Sequence, residues 1–399
     1  MYTISLLLYN YLYCINKFPG VFMKKLALLL LLCSTIAYTQ NVQVTDYQVP
    51  VSKAQTLRFD GSWNWSQTGN SVTSNNANGT MLFRTFYSSL PMAWFLDVDA
   101  SGSKAFGEYS HNIVIDGSFR KYIWENRDLF GFSSLTAQHA KPYNSVAVDL
   151  TVGFGYGRYI NATALAKAVR IEEHLVKDKV IPGNLPKETM LNIASIIERE
   201  AEYKDKYGEI YEQEWFDDIE HEIEKTNMLE EGGVGSIGVL RMRQVLFNIN
   251  ERVNDRYYGW DVTAGVLFPI TSAYDSIPTG NPNLTVGGRF AFPLSWRTQI
   301  NTTAEIFTPL DSAAFDQVRA RIGADFIYEL SNRVNFVASY RFGLYKPAEG
   351  DMDREHTFSA SFWYYLENNI YLTISGDYNK LGNNPKIVSS RVGLQYNLF

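Results

Sequence analysis

At 399 residues and 46% hydrophobic, the chain holds material for one large domain or two to three ordinary ones. A net charge of −6 excludes a phosphate-backbone binder, which needs a basic face, so no nucleic-acid partner is expected. Aromatics reach 15%, with 26 Tyr and 24 Phe, a bias that suits strands with rings at both borders of a lipid layer.

The first element is a leader. Lys24-Lys25 forms a charged start, Leu26 to Leu32 an unbroken apolar run, and Cys33 to Gln40 a small or polar end. That order reads as an export signal beginning at Met23 and cleaved near Ala37 or Thr39, so residues 1–39 are assigned to leader and signal peptide. The apolar run falls well short of the roughly 20 residues that a spanning helix needs. Both cysteines, Cys14 and Cys33, lie in this segment, so the mature chain would have no thiol and no cysteine-based metal site, nucleophile or disulfide.

Beyond the leader, segments of about ten residues alternate strictly between apolar and polar positions. In Gln317 to Leu330 the even positions are Val318, Ala320, Ile322, Ala324, Phe326, Tyr328 and Leu330, while the odd ones include Arg319, Arg321, Asp325 and Glu329. Successive side chains of a strand point to opposite faces, so one face is greasy and the other charged. Four such strands are expected within 40–159, near 55–67, 81–99, 109–124 and 144–158, with a bulge at Leu90-Pro91. Eight more are expected within 257–399, near 257–270, 283–294, 297–308, 317–330, 332–345, 356–367, 369–379 and 388–399. Tight connections at Ser295-Trp296, Ser331 and Glu367-Asn368 alternate with long polar ones at Thr271 to Pro282, Pro309 to Asp316, Lys346 to Glu355 and Lys380 to Ile387. Extrapolated backwards, this alternation makes Gly69 to Thr80 and Glu125 to Tyr143 long loops, and it puts the connection after the fourth strand on the tight-turn side.

That connection, residues 160–256, changes period from two to about 3.6 and reads as a helical domain. Asn161 can cap a first helix running to Lys179, and Pro186 opens a second with Met190, Ile193, Ala194 and Ile197 on one stripe. A third carries Tyr207, Tyr211, Trp215, Ile219 and Ile223, and a fourth carries Ile237, Leu240, Leu246, Ile249 and Val253. Four such stripes can cover one another. The segment carries about 20 acidic against about 13 basic residues, the mark of a water-facing module.

The exported start at Met23, the alternating strands and the final strand Val388 to Phe399 together resemble the outer-membrane β-barrel proteins of diderm bacteria. The resemblance implies a mainly β fold: a transmembrane, antiparallel, up-and-down β-barrel of about 12 strands with an inserted periplasmic α-helical domain. It implies contact with outer-membrane lipid and with the barrel-assembly machinery, which would read the aromatic end at Tyr396 and Phe399. Val392, Leu394 and Tyr396 fall one position out of the frame usual in that class.

The charged face would line a lumen with Arg58, Asp60, Asp149, Asp261, Arg289, Glu305, Arg319, Arg321, Asp325, Glu329, Arg333, Arg341 and Asp377, a near balance of signs. The expected function is a narrow pore or uptake channel, with the helical insert gating its periplasmic mouth or recruiting a periplasmic protein or cell-wall partner. A non-conducting scaffold or adhesin is the alternative, and a lipid hydrolase built on His356, Ser359 and Ser361, or on His111, is a distant one. No catalytic set, cofactor or metal is expected. Asp218 and His221 with Glu214 and Glu220 supply an acid-x-x-His unit once where a di-metal bundle needs it twice, and Asp351, Asp353 and Glu355 lack a full calcium series.

Overall fold

The computed structural model describes residues 40–123, 128–229, 233–311, 314–365, 370–382 and 384–396. The expected signal segment and Phe399 lie outside these residues. Fourteen strands form one antiparallel sheet in which every strand pairs with its chain neighbours, from β1 to β14 in order. They are β1 (Ser52–Thr68), β2 (Ser71–Ser88), β3 (Met92–Ala105), β4 (Glu108–Tyr122), β5 (Leu129–Ala140), β6 (Ala147–Asn161), β7 (Tyr257–Thr271) and β8 (Asn283–Ser295). The rest are β9 (Thr298–Pro309), β10 (Val318–Ser331), β11 (Val334–Lys346), β12 (Asp353–Tyr365), β13 (Ile370–Leu381) and β14 (Ile387–Tyr396). Among the described residues no pairing joins β14 to β1.

The count of 12 strands is therefore corrected to 14, for two local reasons. Leu90-Pro91 is a turn between β2 and β3 rather than a bulge: the Ser89 N–H reaches the Met92 carbonyl at 2.9 Å, and a proline without an N–H costs nothing there. The segment 125–143, expected as a loop, contains β5, and 69–80 is mostly β2 behind a tight turn at Gly69-Asn70. Adding two strands keeps the parity, so the helical segment still follows a strand that ends on the same side as the β8–β9 and β10–β11 turns. The alternation of lengths stops at the helices: β1–β2 and β3–β4, on the expected long-loop side, are joined by the tight turns Gly69-Asn70 and Phe106-Gly107.

The faces follow from the register, because directly opposed residues share a face. Leu57 opposes Phe83, Phe83 opposes Val98, and the same tracing carries the set through Phe154, Trp260, Ile322 and Phe358 to Val392. This face is greasy and open: Trp63 is 71% exposed, Phe154 65% and Val392 70%. The opposite face is concave. Next-but-one strands of a flat sheet lie about 9–10 Å apart, yet Tyr122 on β4 donates to the Gly157 carbonyl on β6 at 3.0 Å, and Gln299 on β9 to the Tyr257 carbonyl on β7 at 2.8 Å. Side chains bridge such a gap only on the inside of a curl.

Between β6 and β7 lie five α-helices: α1 (Thr163–Lys177), α2 (Lys187–Glu198), α3 (Glu200–Tyr207), α4 (Tyr211–Glu224) and α5 (Gly235–Leu246). The expected cap is displaced by one: Ala162 occupies the cap position of the first helix with no side-chain cap, while Asn161 ends β6 and accepts the Thr163 N–H at 2.9 Å. The expected third helix is divided, because Gly208 with φ of 57° breaks α3 from α4. Leu165, Met190, Ile193, Trp215, Ile219, Met242 and Val245 close one core with Val42, Val44 and Tyr47. The stripe assigned to the fourth helix is partly displaced: Leu246 and Val253 are buried, but Ile237 and Leu240 are more than half exposed, and Met242 and Val245 turn inward in their place.

Candidate functional site

By strand register, twelve of the thirteen residues expected to line a lumen fall on one face of the sheet, the concave one. Asp261 opposes Arg289, Glu305 opposes Arg321, Asp325 opposes Ser339 and Ser359 opposes Asp377, all in one register. The exception is Arg333, which lies in the turn between β10 and β11, its N–H bonded to the Ser331 hydroxyl. The strand expected from residue 332 begins at Val334, which leaves Arg333 outside it. The same face also carries Arg84, Asp97, Asp99, Asp116, Arg120, Asp353, Glu355 and Arg391, which tilts the near balance of signs toward acid. The merged strand at 81–99 hid the first three of these.

Neighbouring charges neutralise one another along the wall. Arg58 meets Asp60 at 2.8 Å, Arg84 meets Asp97 at 2.6 Å, Arg289 meets Asp261 at 2.9 Å and Arg341 meets Asp325 at 2.8 Å. The rings of Phe130 and Phe132 lie over Gly155 and Gly153 on β6; a Cβ at Gly153 would stand 2.8 Å from the Phe132 ring. Glycine on β6 therefore lets inward-facing rings thicken that wall.

Where the helices meet the sheet, the concave face ends in a buried charged cluster. Glu329, near the end of β10, accepts from Arg170 on α1 at 2.6 Å, from Arg256 at 2.7 Å and from both the backbone and side chain of Asn254 at 3.0 Å. Arg170 also meets Glu251 at 3.2 Å and Glu173 at 3.4 Å, and His174 meets Glu251 at 2.8 Å. Arg256 is 0% exposed and Glu329 1%. Burial pulls the Arg170 guanidinium down, but Glu329, Glu173 and Glu251 together hold it above its ordinary value. Asn254 continues to Asn335 on β11 at 3.0 Å, so the cluster ties the helices to two strands at once.

A second tie runs through the first described residues. Asn41 donates to the Leu185 carbonyl at 3.1 Å, Trp296 to the Val42 carbonyl at 3.3 Å and Tyr258 to the Tyr47 carbonyl at 2.5 Å, while Lys187 meets Asp46 at 2.7 Å. Residues 41–47 thus strap the helices to the start of β7 and to the β8–β9 turn. Beneath the strap, burial pushes the Glu172 carboxyl up to about 7 despite the Leu185 N–H it accepts, and burial likewise raises Glu198.

The remaining candidates are dispersed. His356 lies on the greasy face, bonded to the Tyr340 hydroxyl at 2.8 Å, whereas Ser359 and Ser361 lie on the concave one, so no hydrolytic pair forms. His111 pairs with His139 at 2.7 Å on the greasy face. Asp218 accepts from the Tyr203 hydroxyl, and His221 faces Glu224. Among the described residues no group of three or more His, Cys, Asp or Glu side chains is placed to hold a metal ion. Tyr396 ends β14 opposite Ile370.

No family model matches the chain, and no curated protein does. One solved structure, a CymD monoaromatic hydrocarbon channel, is similar at 10% identity with a TM-score of 0.26, over 88% of this chain and 90% of that one. Superposition that loose does not establish a shared fold.

Proposed function

We propose that the chain is an outer-membrane β-barrel that forms a narrow channel, with its helical segment docked in the periplasmic mouth as a gate. Export by residues 1–39 and recognition of the Phe399 end by the assembly machinery belong to the same proposal. The observation that carries it is the division of one curled sheet into a greasy convex face and a charged concave face, the latter ending in the Glu329 cluster that holds the helices.

In water, a belt of exposed Trp63, Phe154, Trp260 and Val392 would be an aggregation surface; in hydrocarbon it is the stable arrangement. Hydrocarbon also penalises unpaired strand edges, so β1 and β14 would pair with each other in the membrane. An even number of strands makes that last pairing antiparallel, like the rest. The helices are held by the charged cluster together with an apolar seam to Ile160, Tyr258 and Trp296.

Planar-bilayer recording of the full chain tests this. Small discrete conductance steps are expected for the wild type, and larger or longer ones for Glu329→Gln. Silence from both, in membranes where the protein is demonstrably inserted, would rule out the channel and leave a non-conducting scaffold.

A further inference from the structure

At the loop end of the greasy face, β11, β12 and β13 enclose a cleft of about 730 Å³. Arg354, His356 and Lys380 line its upper part; Tyr340, Phe358 and Tyr378 line the lower part. The register puts these side chains on two rungs. His356 opposes Lys380 directly, and two residues further down Phe358 opposes both Tyr340 and Tyr378. The Lys380 rung therefore stands about 7 Å above an aromatic one, with Arg354 a further rung up.

Arg354 and Lys380, diagonal neighbours on one face of the β12–β13 pair, repel unless an anion sits between them. No lining residue carries a carboxylate that would fill that role. Asp353 and Glu355, the acids nearest in sequence, alternate onto the concave face. His356 shares a hydrogen bond with the Tyr340 hydroxyl through Nδ1, at 2.8 Å. Arg354 has a weak contact to the Met352 sulfur at 3.9 Å, and no carboxylate neutralises Lys380 among the described residues.

We infer that this cleft binds an anionic phospholipid, its phosphate headgroup held by Arg354, His356 and Lys380 and its acyl chains lying along Tyr340, Phe358 and Tyr378. The inference rests on the membrane reading above, because only there does a greasy wall below a basic rung meet chains and headgroups in that order. Arginine offers a fork to two phosphate oxygens, and lysine a point charge. The aromatic rung matches the level at which rings border the hydrocarbon.

The test uses the full chain purified in detergent and native mass spectrometry with phosphatidic acid against phosphatidylcholine of identical acyl chains. Wild type should retain phosphatidic acid at least about tenfold better, the size expected of one or two charge-assisted bonds. The double variant Arg354→Gln/Lys380→Gln should fall to near parity while still running as a compact species on cold SDS gels. Should it fail to fold, Lys380→Gln alone should give an intermediate preference. Equal retention by wild type, an unchanged preference in a folded variant, or displacement of the lipid by inorganic phosphate alone would each overturn the inference. Flotation with pure phosphatidylcholine vesicles separates the two ideas: a protein that floats but shows no preference loses only the lipid site, whereas one that does not float loses the membrane reading as well.

Discussion

Replacing Glu329 by glutamine should loosen the helices from the sheet while leaving the strands paired. Arg256 is fully buried, and its bond to Glu329 at 2.7 Å is its carboxylate contact among the described residues; its other partners are the carbonyls of Asn254, Asp255 and Trp296. Arg170 keeps Glu251 and Glu173, so the loss falls mainly on Arg256. Removing one partner of a buried pair costs about 3–5 kcal/mol, because the other charge stays out of water. With a urea dependence of about 1–3 kcal/mol per molar, the midpoint for loss of helical ellipticity in detergent should drop by on the order of 1–5 M. Adding Arg256→Met should recover part of that loss, since the unpaired charge is then gone. An unmoved midpoint in Glu329→Gln, or a double variant weaker than the single one, would refute the view that the cluster holds the helices in place.

Three further outcomes follow from other parts of the molecule. Burial raises the Glu172 carboxyl from 4.5 to about 7, so the folded helices hold its proton where the unfolded chain has released it. Their stability should decline as pH rises from 4.5 to 7 and stay level above, by at most about 3 kcal/mol at about 1.4 kcal/mol per unit; Glu172→Gln should gain stability at pH 8 and little below 4.5, read by thermal melts at both ends. Gly153→Val should abolish the compact species on cold SDS gels, because its Cβ would meet the Phe132 ring and the β7 backbone, whereas Gly131→Val, with open space around it, should not. Phe154→Arg, at the middle of the greasy face, should weaken insertion by about 2–4 kcal/mol in vesicle flotation, while Thr151→Arg on the concave face should float normally.

Much of the fold was legible because a half-buried strand must alternate. The later hairpins fall where polar runs and tight pairs such as Ser295-Trp296 interrupt that alternation. The strand at Leu129–Ala140 escaped because its pattern is inverted: Phe130 and Phe132 face inward over glycines, and Gly131 and Ser133 occupy the lipid side. The wall charges could be found from parity alone. The cluster could not, since Arg170 and Glu329 stand 159 positions apart and a buried arginine on an amphipathic helix looks like any solvated one. The displaced stripe of α5 has the same origin: Ile237 and Leu240 have the right spacing, but the neighbours that decide which side is covered come from other helices.

The strap at residues 41–47 has a bearing on how β1 is held. It immediately precedes β1, yet its partners, Leu185, Glu198, Tyr258 and Trp296, arrive 144 to 254 positions later. The leading end of β1 is therefore held from two sides, by a hairpin with β2 that closes locally and by a strap whose contacts close only across the helices and β7 to β9. Removing the helical segment would leave the hairpin paired and its leading end without a berth.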